Sequence, residues 1–230
     1  MDRRDFLRLA STLGVGGLGM AALSGCGQTN PGAQLPPRST QEGPTTPVLD
    51  PGGQSPAPRA LVAYFSRPGE NYHYGGRTWL EIGNTEVIAK MIADLSVCDL
   101  HRIEAAEPYS GDYDDTVARN VREQQADARP GIANPLQSID QYDIILLGSP
   151  IWNVRTPMIM ETFAAGYDFT GTTIYPFVTY AVSGLGATET DYRRSCKGAT
   201  IGEGIAIRGE QVMDAEQEVS AWLGRTGLLT

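Results

Sequence analysis

The stretch ALVAYFSRPG, residues 60–69, gives the first indication of the fold class. Its first six residues, 60–65, are all apolar or aromatic and include the strand formers Val62, Tyr64 and Phe65. A short uninterrupted apolar stretch of this kind predicts a strand that is buried on both faces. A Ser-Arg-Pro-Gly turn follows it directly. The sequence therefore predicts the first strand of a covered, parallel sheet that ends in a polar loop.

Strand and helix patterns alternate along the rest of the chain. Residues 84–95, NTEVIAKMIADL, place apolar side chains at helical spacing, with Asn84 as the expected N-cap. Further strands are expected at residues 100–103, 142–147, 174–182 and 199–207, and further helices at 114–128, from 157, at 188–196 and at 214–223. Five strands separated by helices predict an α/β fold with a parallel sheet and helices on both faces. Ligands of such sheets bind beyond the carboxyl ends of the strands, where the strand order reverses.

The loop after the first strand carries the chemistry of a phosphate site. Ser66, Arg67 and Gly69 lead towards Asn84 and Thr85, which open the first helix. Hydroxyls, an amide and free backbone N–H groups at a helix N-terminus are what a phosphate dianion requires. A turn followed by an ordinary Asn or Thr helix cap would use the same residue types. The residues alone leave both interpretations open.

Two further loops are expected at the same edge of the sheet. After the third strand, residues 148–153 read GSPIWN and place Trp152 in a loop, where it either stacks on a ligand or packs against the protein. After the fourth strand, residues 180–186 read YAVSGLG. This Gly-containing turn could bring backbone N–H groups close to a planar ring.

Together these three loops resemble those of the flavodoxin family, and the resemblance covers residues 59–230. Residues 61–67, LVAYFSR, resemble the start of the family's flavin phosphate loop, and residues 83–86, GNTE, resemble its end. Residues 145–152, ILLGSPIW, resemble the second flavin loop. Residues 172–179, TTIYPFVT, resemble the fourth strand running into the third loop.

The resemblance implies a flavodoxin-like three-layer sandwich with strand order 2-1-3-4-5, and FMN as the cofactor. The implied flavin contacts are Ser66, Arg67, Gly69, Asn84, Thr85, Ser149, Pro150, Ile151, Trp152, Asn153, Ser183 and Gly184. The first loop and the helix start would hold the 5′-phosphate, with Arg67 contributing its side chain or only its backbone N–H. Trp152 would lie against the isoalloxazine, with backbone groups of Ser149, Ile151 and Asn153 near the reactive edge. Ser183 and Gly184 would approach the pyrimidine end.

Two departures from the family pattern bear on the site. Residues 70–82 split the phosphate loop, as in a flavodoxin-like subgroup of bacteria, and contain Tyr72 and Tyr74. This insertion is either a lid over the flavin or a loop that packs elsewhere. Ala181 and Val182 stand where the family usually has two glycines, and their Cβ atoms would push a flavin outward or weaken its binding.

The first 58 residues are predicted to lie outside the folded domain. Residues 1–26 have a basic start, a weakly apolar stretch and small residues, which is typical of a secretory signal. Within them, RRDFLR resembles a twin-arginine export signal, and LSGC resembles a lipobox in which Cys26 is acylated. Residues 27–58 are rich in Pro, Gly, Gln, Ser and Thr and are predicted to form a flexible tether. We therefore expect a domain at residues 59–230, attached by lipid to the outer face of a bacterial cytoplasmic membrane.

Composition excludes several classes of function. With 18 Lys and Arg against 27 Asp and Glu, the net charge of −9 argues against a nucleic acid partner. The only histidines, His73 and His101, are far apart in the sequence, so no metal site is expected. Neither a phosphate-binding Walker motif nor a Gly-x-Ser-x-Gly nucleophile motif is present.

Three functions fit these observations. The first is an FMN electron carrier that docks through its acidic surface to an unidentified redox partner protein. The second is an enzyme, an NAD(P)H-dependent FMN or quinone reductase, which needs room over the flavin for a second planar, quinone-like substrate. The third is an interaction module that keeps the fold without a flavin. No second dinucleotide-binding motif is present, which favours the carrier, and whether the chain is an enzyme stays open.

Overall fold

The structure is a computed structural model that describes residues 58–230. The predicted signal at residues 1–26, including Cys26, and all but the last residue of the predicted tether lie outside the described residues. Their roles therefore stay predictions. No helix within residues 58–230 is long and apolar enough to cross a bilayer.

Eight strands and five α-helices follow one another along the described chain. The strands are β1 (Ala60–Tyr64), β2 (Gly69–His73), β3 (Gly76–Leu80), β4 (Asp99–Arg102), β5 (Ile144–Pro150), β6 (Thr173–Tyr180), β7 (Thr200–Ile201) and β8 (Ile205–Arg208). The α-helices are α1 (Asn84–Leu95), α2 (Tyr113–Gln125), α3 (Met158–Ala165), α4 (Thr188–Ser195) and α5 (Glu216–Thr226). A 3₁₀ helix, Gly209–Asp214, links β8 to α5.

The main sheet is parallel and confirms the predicted strand order. Its strands run β4-β1-β5-β6, and both β7 and β8 pair with β6. The predicted fifth strand is therefore one position in the sheet that is broken into two short pieces. The break is at residues 202–204, where a side chain at Gly202 would overlap the ring of Tyr175. There the carbonyl of Glu203 accepts a hydrogen bond from Trp222 Nε1 at 2.9 Å.

The apolar character of β1 follows from the two cores that it separates. Val62 and Tyr64 belong to one core, together with residues of α1 and α5. Leu61 and Ala63 belong to the other, together with residues of α3 and α4. Because successive side chains of a strand point to opposite faces, a strand covered on both sides needs apolar residues at every position. The prediction of an α/β fold with helices on both faces is confirmed.

Helix α1 spans the predicted residues, but its N-cap lies one residue before the predicted one. Gly83 is the N-cap, with an extended conformation at φ −67° and ψ 145°, and Asn84 is already helical. The prediction of Asn84 as the cap is therefore wrong. As a consequence, the N–H groups of Asn84 and Thr85 belong to the first helical turn, which has no intrahelical acceptors for them.

The insertion at residues 70–82 forms an antiparallel hairpin from β2 and β3. Its two-residue turn has positive φ at Tyr74 (44°) and Gly75 (84°), the conformation of a tight hairpin turn. The hairpin tip is attached to the 3₁₀ helix, because the Tyr74 N–H donates to Glu210 Oε1 at 2.8 Å. The insertion is therefore an ordered element placed beside the carboxyl edge of the main sheet.

Candidate functional site

An inner cavity of about 100 Å³ lies at the carboxyl ends of the central strands. It is bounded by the loops after β1, β5, β6 and β8 and by β2 of the hairpin. The predicted site residues that line it are Ser66, Arg67, Asn84, Thr85, Pro150, Ile151 and Trp152. The structure thus brings together the two ends of the split phosphate loop and most of the second loop, as expected.

An outer cavity of about 320 Å³ adjoins the inner one. It lies between α2 and residues 151–153, and it shares Arg67, Tyr113 and Trp152 with the inner cavity. Among the predicted site residues, Asn153 lines only this outer cavity. Their combined size reaches the range of small-molecule sites, which is roughly 300–1,000 Å³.

The hydroxyls at the start of α1 are engaged with protein groups. Ser66 Oγ accepts a hydrogen bond from the Glu86 N–H at 3.1 Å, so it caps the helix from the preceding loop. The Oγ1 atoms of Thr85 and Thr179 lie 2.8 Å apart in a hydrogen bond between β6 and α1. Ser66, Thr85 and Thr179 are all buried. These side chains therefore fix the geometry of the loop and the helix start rather than projecting free into the cavity.

Backbone N–H groups at the same place have no acceptor. Among residues 58–230, no hydrogen bond is made by the N–H groups of Ser66, Arg67, Asn84 and Thr85. All four residues line the inner cavity. Because backbone donors near the interior are nearly always paired, a cluster of four unpaired ones indicates a place for an anion. The arrangement can therefore bind a phosphate through main-chain donors.

The guanidinium of Arg67 is committed to the protein itself. It donates to the carbonyl of Ser110 at 2.8 Å and to the carbonyl of Glu70. Arg67 is 7% exposed, and this burial lowers the pKa of its side chain. Its side chain therefore ties the base of the hairpin to residues 108–112, which leaves its backbone N–H for the cavity.

The Trp152 side chain packs against two aromatic rings and also lines both cavities. Its ring makes edge-on contacts with Phe65, at 5.7 Å between centroids, and with Tyr109, at 5.1 Å. The Tyr109 hydroxyl donates to Glu123 Oε2 at 2.8 Å, and burial together with this carboxylate raises the pKa of Tyr109. The indole is thus held in place on two sides and contributes to both cavities.

The turn that follows Trp152 has an unusual backbone. Asn153 and Val154 both have positive φ, at 49° and 61°, and Trp152 and Arg155 bridge across them. A β-branched residue is strained in this region. The turn is held from outside, since the Val154 carbonyl accepts from the Ala187 N–H at 2.9 Å. Of these two residues with positive φ, only Asn153 lines the outer cavity.

Four residues predicted as flavin contacts line neither cavity. Gly69 begins β2 and packs on Gly111, so close that a Cβ would lie 2.6 Å from the Gly111 carbonyl oxygen. Ser149 is fully buried, because its place in β5 turns its side chain towards the α4 side of the sheet, near Tyr192.

Ser183 and Gly184 also line neither cavity, so their expected contact with a flavin stays a prediction. The strand β6 ends at Tyr180, and the cavity is lined by Thr179, Tyr180 and Ala181. Beyond them the turn leads outward, with Val182 75% exposed. Of the turn residues that follow β6, Ala181 is therefore the one that lines the inner cavity.

Sequence reasoning missed two acceptors that line these cavities. Glu210 lines the inner cavity, and its Oε2 atom is buried without a partner among the described residues. Asn120 of α2 lines the outer cavity, and its Oδ1 atom is likewise buried without a partner in residues 58–230. Glu210 follows β8 directly, so its signal in the sequence is its place beyond the carboxyl end of a parallel strand, where ligands of such sheets bind.

No grouping of metal-ligating side chains occurs in the part of the chain that the structure describes. The groups available to a ligand are the unpaired backbone N–H donors at the start of α1, the unpaired acceptors of Glu210 and Asn120, and the Trp152 ring.

The family model described as Flavodoxin matches residues 77–226, well over half of the chain. This chain belongs to the flavodoxin family. Flavodoxin-like relatives also appear among solved structures, two of them candidate flavoproteins from Bacteroides eggerthii and Bacteroides uniformis. Both are 27% identical to this chain, with TM-scores of 0.60 and 0.58. They cover 74% and 73% of this chain and 99% and 98% of their own length.

A more distant likeness is to a flavoprotein from Lactobacillus acidophilus that was solved in complex with FMN. It is 20% identical, with a TM-score of 0.49, and the match covers 70% of this chain and 99% of that one. At this distance we transfer nothing from its ligand to the present chain. None of the curated proteins compared matches the sequence. The flavodoxin-like flavoprotein fold is thus established by the family match and the two Bacteroides structures.

Proposed function

We propose that this flavodoxin-like protein binds FMN and works as an electron carrier at the cell envelope. The observation that carries the proposal is the set of four unpaired N–H groups around the start of α1, in a chain that belongs to the flavodoxin family. FMN, when bound, supplies reversible electron transfer, and the protein supplies binding and electrostatics.

The phosphate end of the proposed site relies on the backbone. A phosphate monoester carries a charge of about −1.5 to −2 at pH 7, and the N-terminus of a helix carries a partial positive charge. The N–H groups of Ser66, Arg67, Asn84 and Thr85 would donate to its oxygens. Because Gly83 is buried with Arg67 O only 2.6 Å from where a Cβ would sit, the loop approaches the helix start as closely as a glycine permits.

The ring end would rely on aromatic and apolar walls. Ile151 and Trp152 line both cavities and would shield one part of the isoalloxazine from water. Asn120 Oδ1, buried and without a partner within residues 58–230, would accept from a ring N–H or a ribityl hydroxyl. Ligand donors of this kind would remove the cost of an unpaired buried acceptor, about 1–3 kcal/mol.

The acidic composition supports electron transfer in two ways. A net charge of −9 disfavours an anionic reduced flavin, which lowers the reduction potential. The same charge would steer a basic redox partner protein towards the domain and accelerate encounter.

A second candidate function is an NAD(P)H-dependent FMN or quinone reductase. The outer cavity of about 320 Å³, beside Trp152 and lined by Val117 and Val121, favours this function, because it offers space for a second planar substrate. Steady-state assays distinguish the two functions. Consumption of NADH or NADPH in the presence of a small quinone is expected of a reductase and not of a carrier.

We place the carrier on the outer face of the bacterial cytoplasmic membrane, attached through a lipid on Cys26. The sequences RRDFLR and LSGC support this location. Twin-arginine export carries folded proteins, so the flavin would be bound before export. Membrane fractionation of wild-type and Cys26→Ser chains, with mass analysis of the N-terminus, tests the proposal. A soluble, unacylated wild-type chain would contradict it.

A visible absorbance spectrum of the purified full-length chain, followed by titration with FMN, tests flavin binding. The proposal predicts a two-band flavin spectrum and a one-to-one stoichiometry. A colourless protein that does not respond to added FMN would contradict it and would favour a flavin-free interaction module on the same fold.

A further inference from the structure

A second, larger depression lies beside the proposed flavin site, between the hairpin, α1 and the 3₁₀ helix. Its volume is about 780 Å³, and we call it the hairpin groove. It follows α1 from end to end, because Asn84, Val87, Met91 and Leu95 all line it. At the rise of an α-helix this distance is roughly 16 Å, which is long enough for about three turns of a second helix beside α1.

The walls of the hairpin groove are mainly apolar and come from three elements. The apolar side chains are those of Leu80, Ile82, Val87, Met91, Leu95, Val212 and Met213. Ile82 and Met213 are strongly exposed, at 47% and 77%. Apolar side chains that are exposed together along a groove are typical of a site for the apolar surface of another molecule.

The rim of the hairpin groove is acidic. It carries four carboxylates, and none of them forms an ion pair among residues 58–230. They belong to Glu81, Asp94, Glu210 and Glu216. In the described chain, the one Lys or Arg that lines the groove is Lys90, which is already paired with Glu86 Oε1 at 2.7 Å. An occupant that complements this groove therefore brings positive charge beside an apolar face.

Glu210 makes a more specific demand at the end of the groove that lies near the start of α1. Its Oε1 atom accepts from the Tyr74 N–H at 2.8 Å, and its Oε2 atom is buried without a partner in residues 58–230. An ionised carboxylate can only accept hydrogen bonds, so the occupant must bring a donor to this atom. The ammonium group of a Lys or the guanidinium of an Arg supplies a donor and a positive charge together.

The charges argue against three other occupants. A second copy of this chain carries the same net charge of −9 and would be repelled. An anionic phospholipid surface meets the same repulsion from the four carboxylates. Residues 27–57 of the chain itself carry one Arg against one Asp and one Glu, so they do not complement an acidic rim.

We propose that the hairpin groove is the docking site for a basic amphipathic helix of the redox partner protein. The partner helix lies along α1 with its aliphatic face between Met91 and Met213, and one of its Lys or Arg side chains donates to Glu210 Oε2. This inference deepens the carrier function proposed above and rests on it for the redox role of the partner. Neither Ile151 nor Trp152 lines the groove, so a partner docked there leaves the proposed ring end of the flavin uncovered for its own redox centre.

A model peptide tests this assignment. The probe is a helical peptide of about 15 residues, made of Leu and Lys, with its Leu residues spaced three and four apart so that they share one face. Calorimetric titration of the full-length chain, with and without FMN, measures the Kd of the peptide. We expect one-to-one binding that weakens about 10-fold between roughly 10 and 150 mM salt, because salt screens the exposed charges. A peptide with Gln in place of Lys is expected to bind at least about 10-fold more weakly at low salt.

Asp94→Lys and its matched control Asp140→Lys test the acidic rim. Both residues are exposed aspartates without an ion pair in residues 58–230, and Asp140 lies outside the groove. Asp94 is in the last turn of α1, where a Lys is favourable to the helix dipole, so the variant keeps its fold. We expect peptide binding at low salt to weaken about 5-fold in Asp94→Lys and less than about twofold in Asp140→Lys.

Two further variants test the apolar wall and the donor site. Met213→Gln is expected to weaken peptide binding about 10-fold, because a partner's aliphatic face loses its contact there. Val97→Gln is its control, since Val97 is 80% exposed and lies outside the groove, and it should change the Kd by less than about twofold. Glu210→Gln keeps an acceptor for the Tyr74 N–H but removes the charge that faces the partner's donor, so binding should weaken about 10-fold.

The outcomes separate the docking site from the flavin site. Equal effects of the groove variants and their controls would overturn the docking assignment, because binding would then reflect net charge alone, and equal binding of the Gln peptide would also overturn it. Self-association of the full-length chain in sedimentation experiments, weakened by Met213→Gln, would assign the groove to a second copy and overturn the proposal. No peptide binding with intact FMN binding overturns the docking site alone. Groove-dependent peptide binding without FMN binding overturns the flavin site and supports the docking site.

Discussion

At the start of α1, the proposed site consists of main-chain N–H donors that buried neighbouring residues hold in position. At Trp152, by contrast, it consists of side chains beside a solvent-exposed turn. Around the helix start, Ser66, Thr85 and Gly83 are buried and bonded or closely packed. Around Trp152, the turn residues Asn153 and Val154 are exposed and have positive φ.

These two regions correspond to the two tasks of the proposed flavin site, which are binding a phosphate and binding a ring. A phosphate needs donors that do not move, and backbone held by a core provides them. An isoalloxazine ring needs apolar and aromatic walls, and Ile151 and Trp152 provide them. Substitutions at the helix start should therefore abolish binding, whereas substitutions at the turn should change stability or tune affinity.

The largest effect is expected from Gly83→Val. A side chain at Gly83 would overlap Ser66 Oγ and lie 2.6 Å from the Arg67 carbonyl oxygen, so the loop must leave the helix start. We expect FMN affinity to fall roughly 100-fold, with a loss of about 1–3 kcal/mol in the free energy of unfolding from overpacking. Fluorescence titration and urea denaturation measure the two effects. Gly224→Ala is the control, since its nearest neighbour would lie 3.9 Å away, and wild-type FMN affinity in Gly83→Val would contradict the account.

Arg67→Met tests whether this arginine holds the hairpin rather than the ligand. Removing the guanidinium leaves the carbonyls of Ser110 and Glu70 without their donor. We expect a loss of about 2 kcal/mol in unfolding free energy and faster amide exchange across residues 69–80. FMN affinity should fall less than in Gly83→Val.

Arg77→Met serves as the matched control for Arg67→Met. Arg77 lies on the same hairpin and is 40% exposed, with an ion pair to Asp114 at 2.6 Å. Exposed pairs contribute about 0–1 kcal/mol, so this variant should be nearly neutral. Equal effects of the two substitutions on exchange would show that Arg67 has no special role.

The third prediction concerns the hydrogen bond between Thr85 and Thr179, whose loss is expected to lower the free energy of unfolding by a smaller amount. Thr85→Val removes one partner of a buried 2.8 Å hydrogen bond and leaves the other hydroxyl unpaired, at a cost of about 1–2 kcal/mol. The double variant with Thr179→Val should cost less than the sum of the single variants, because neither hydroxyl remains unpaired. A double-mutant cycle in urea measures the coupling, and strict additivity would exclude it.

The smallest effect, and the only stabilising one, is expected at the other end of the site. Val154→Asn replaces a β-branched residue at φ 61° with one that tolerates the left-handed region. The free energy of unfolding should rise by about 1 kcal/mol, seen as a higher denaturation midpoint with an unchanged slope. A lower midpoint would mean that the Val154 side chain stabilises the turn by more than its backbone strain costs.

The strands could be predicted because β1, β5 and β6 are largely buried and so read as apolar stretches, whereas the strand order is what the resemblance to the flavodoxin family implies. The place of residues 83–85 in the proposed phosphate site could be predicted, because these residues resemble the end of the family's flavin phosphate loop. The position of Glu210 at the carboxyl edge of the sheet could also be predicted, but its hydrogen bonding could not, because that depends on how the hairpin tip packs on the 3₁₀ helix. No sequence pattern shows that β6 ends at Tyr180, which leaves Ser183 and Gly184 beyond the residues that line the inner cavity.

The central claim is that main-chain N–H groups at the start of α1 hold the flavin phosphate, and Asn84→Pro tests it most directly. Proline is well tolerated at the first helical position, and Gly83 already has the extended conformation that a following proline requires. The substitution therefore removes one donor with little change to the helix, while Asn84→Ala removes the side chain and keeps the donor. We expect FMN titration to show a loss of about 10-fold or more in affinity for Asn84→Pro relative to Asn84→Ala. Equal affinities of the two variants would contradict the claim.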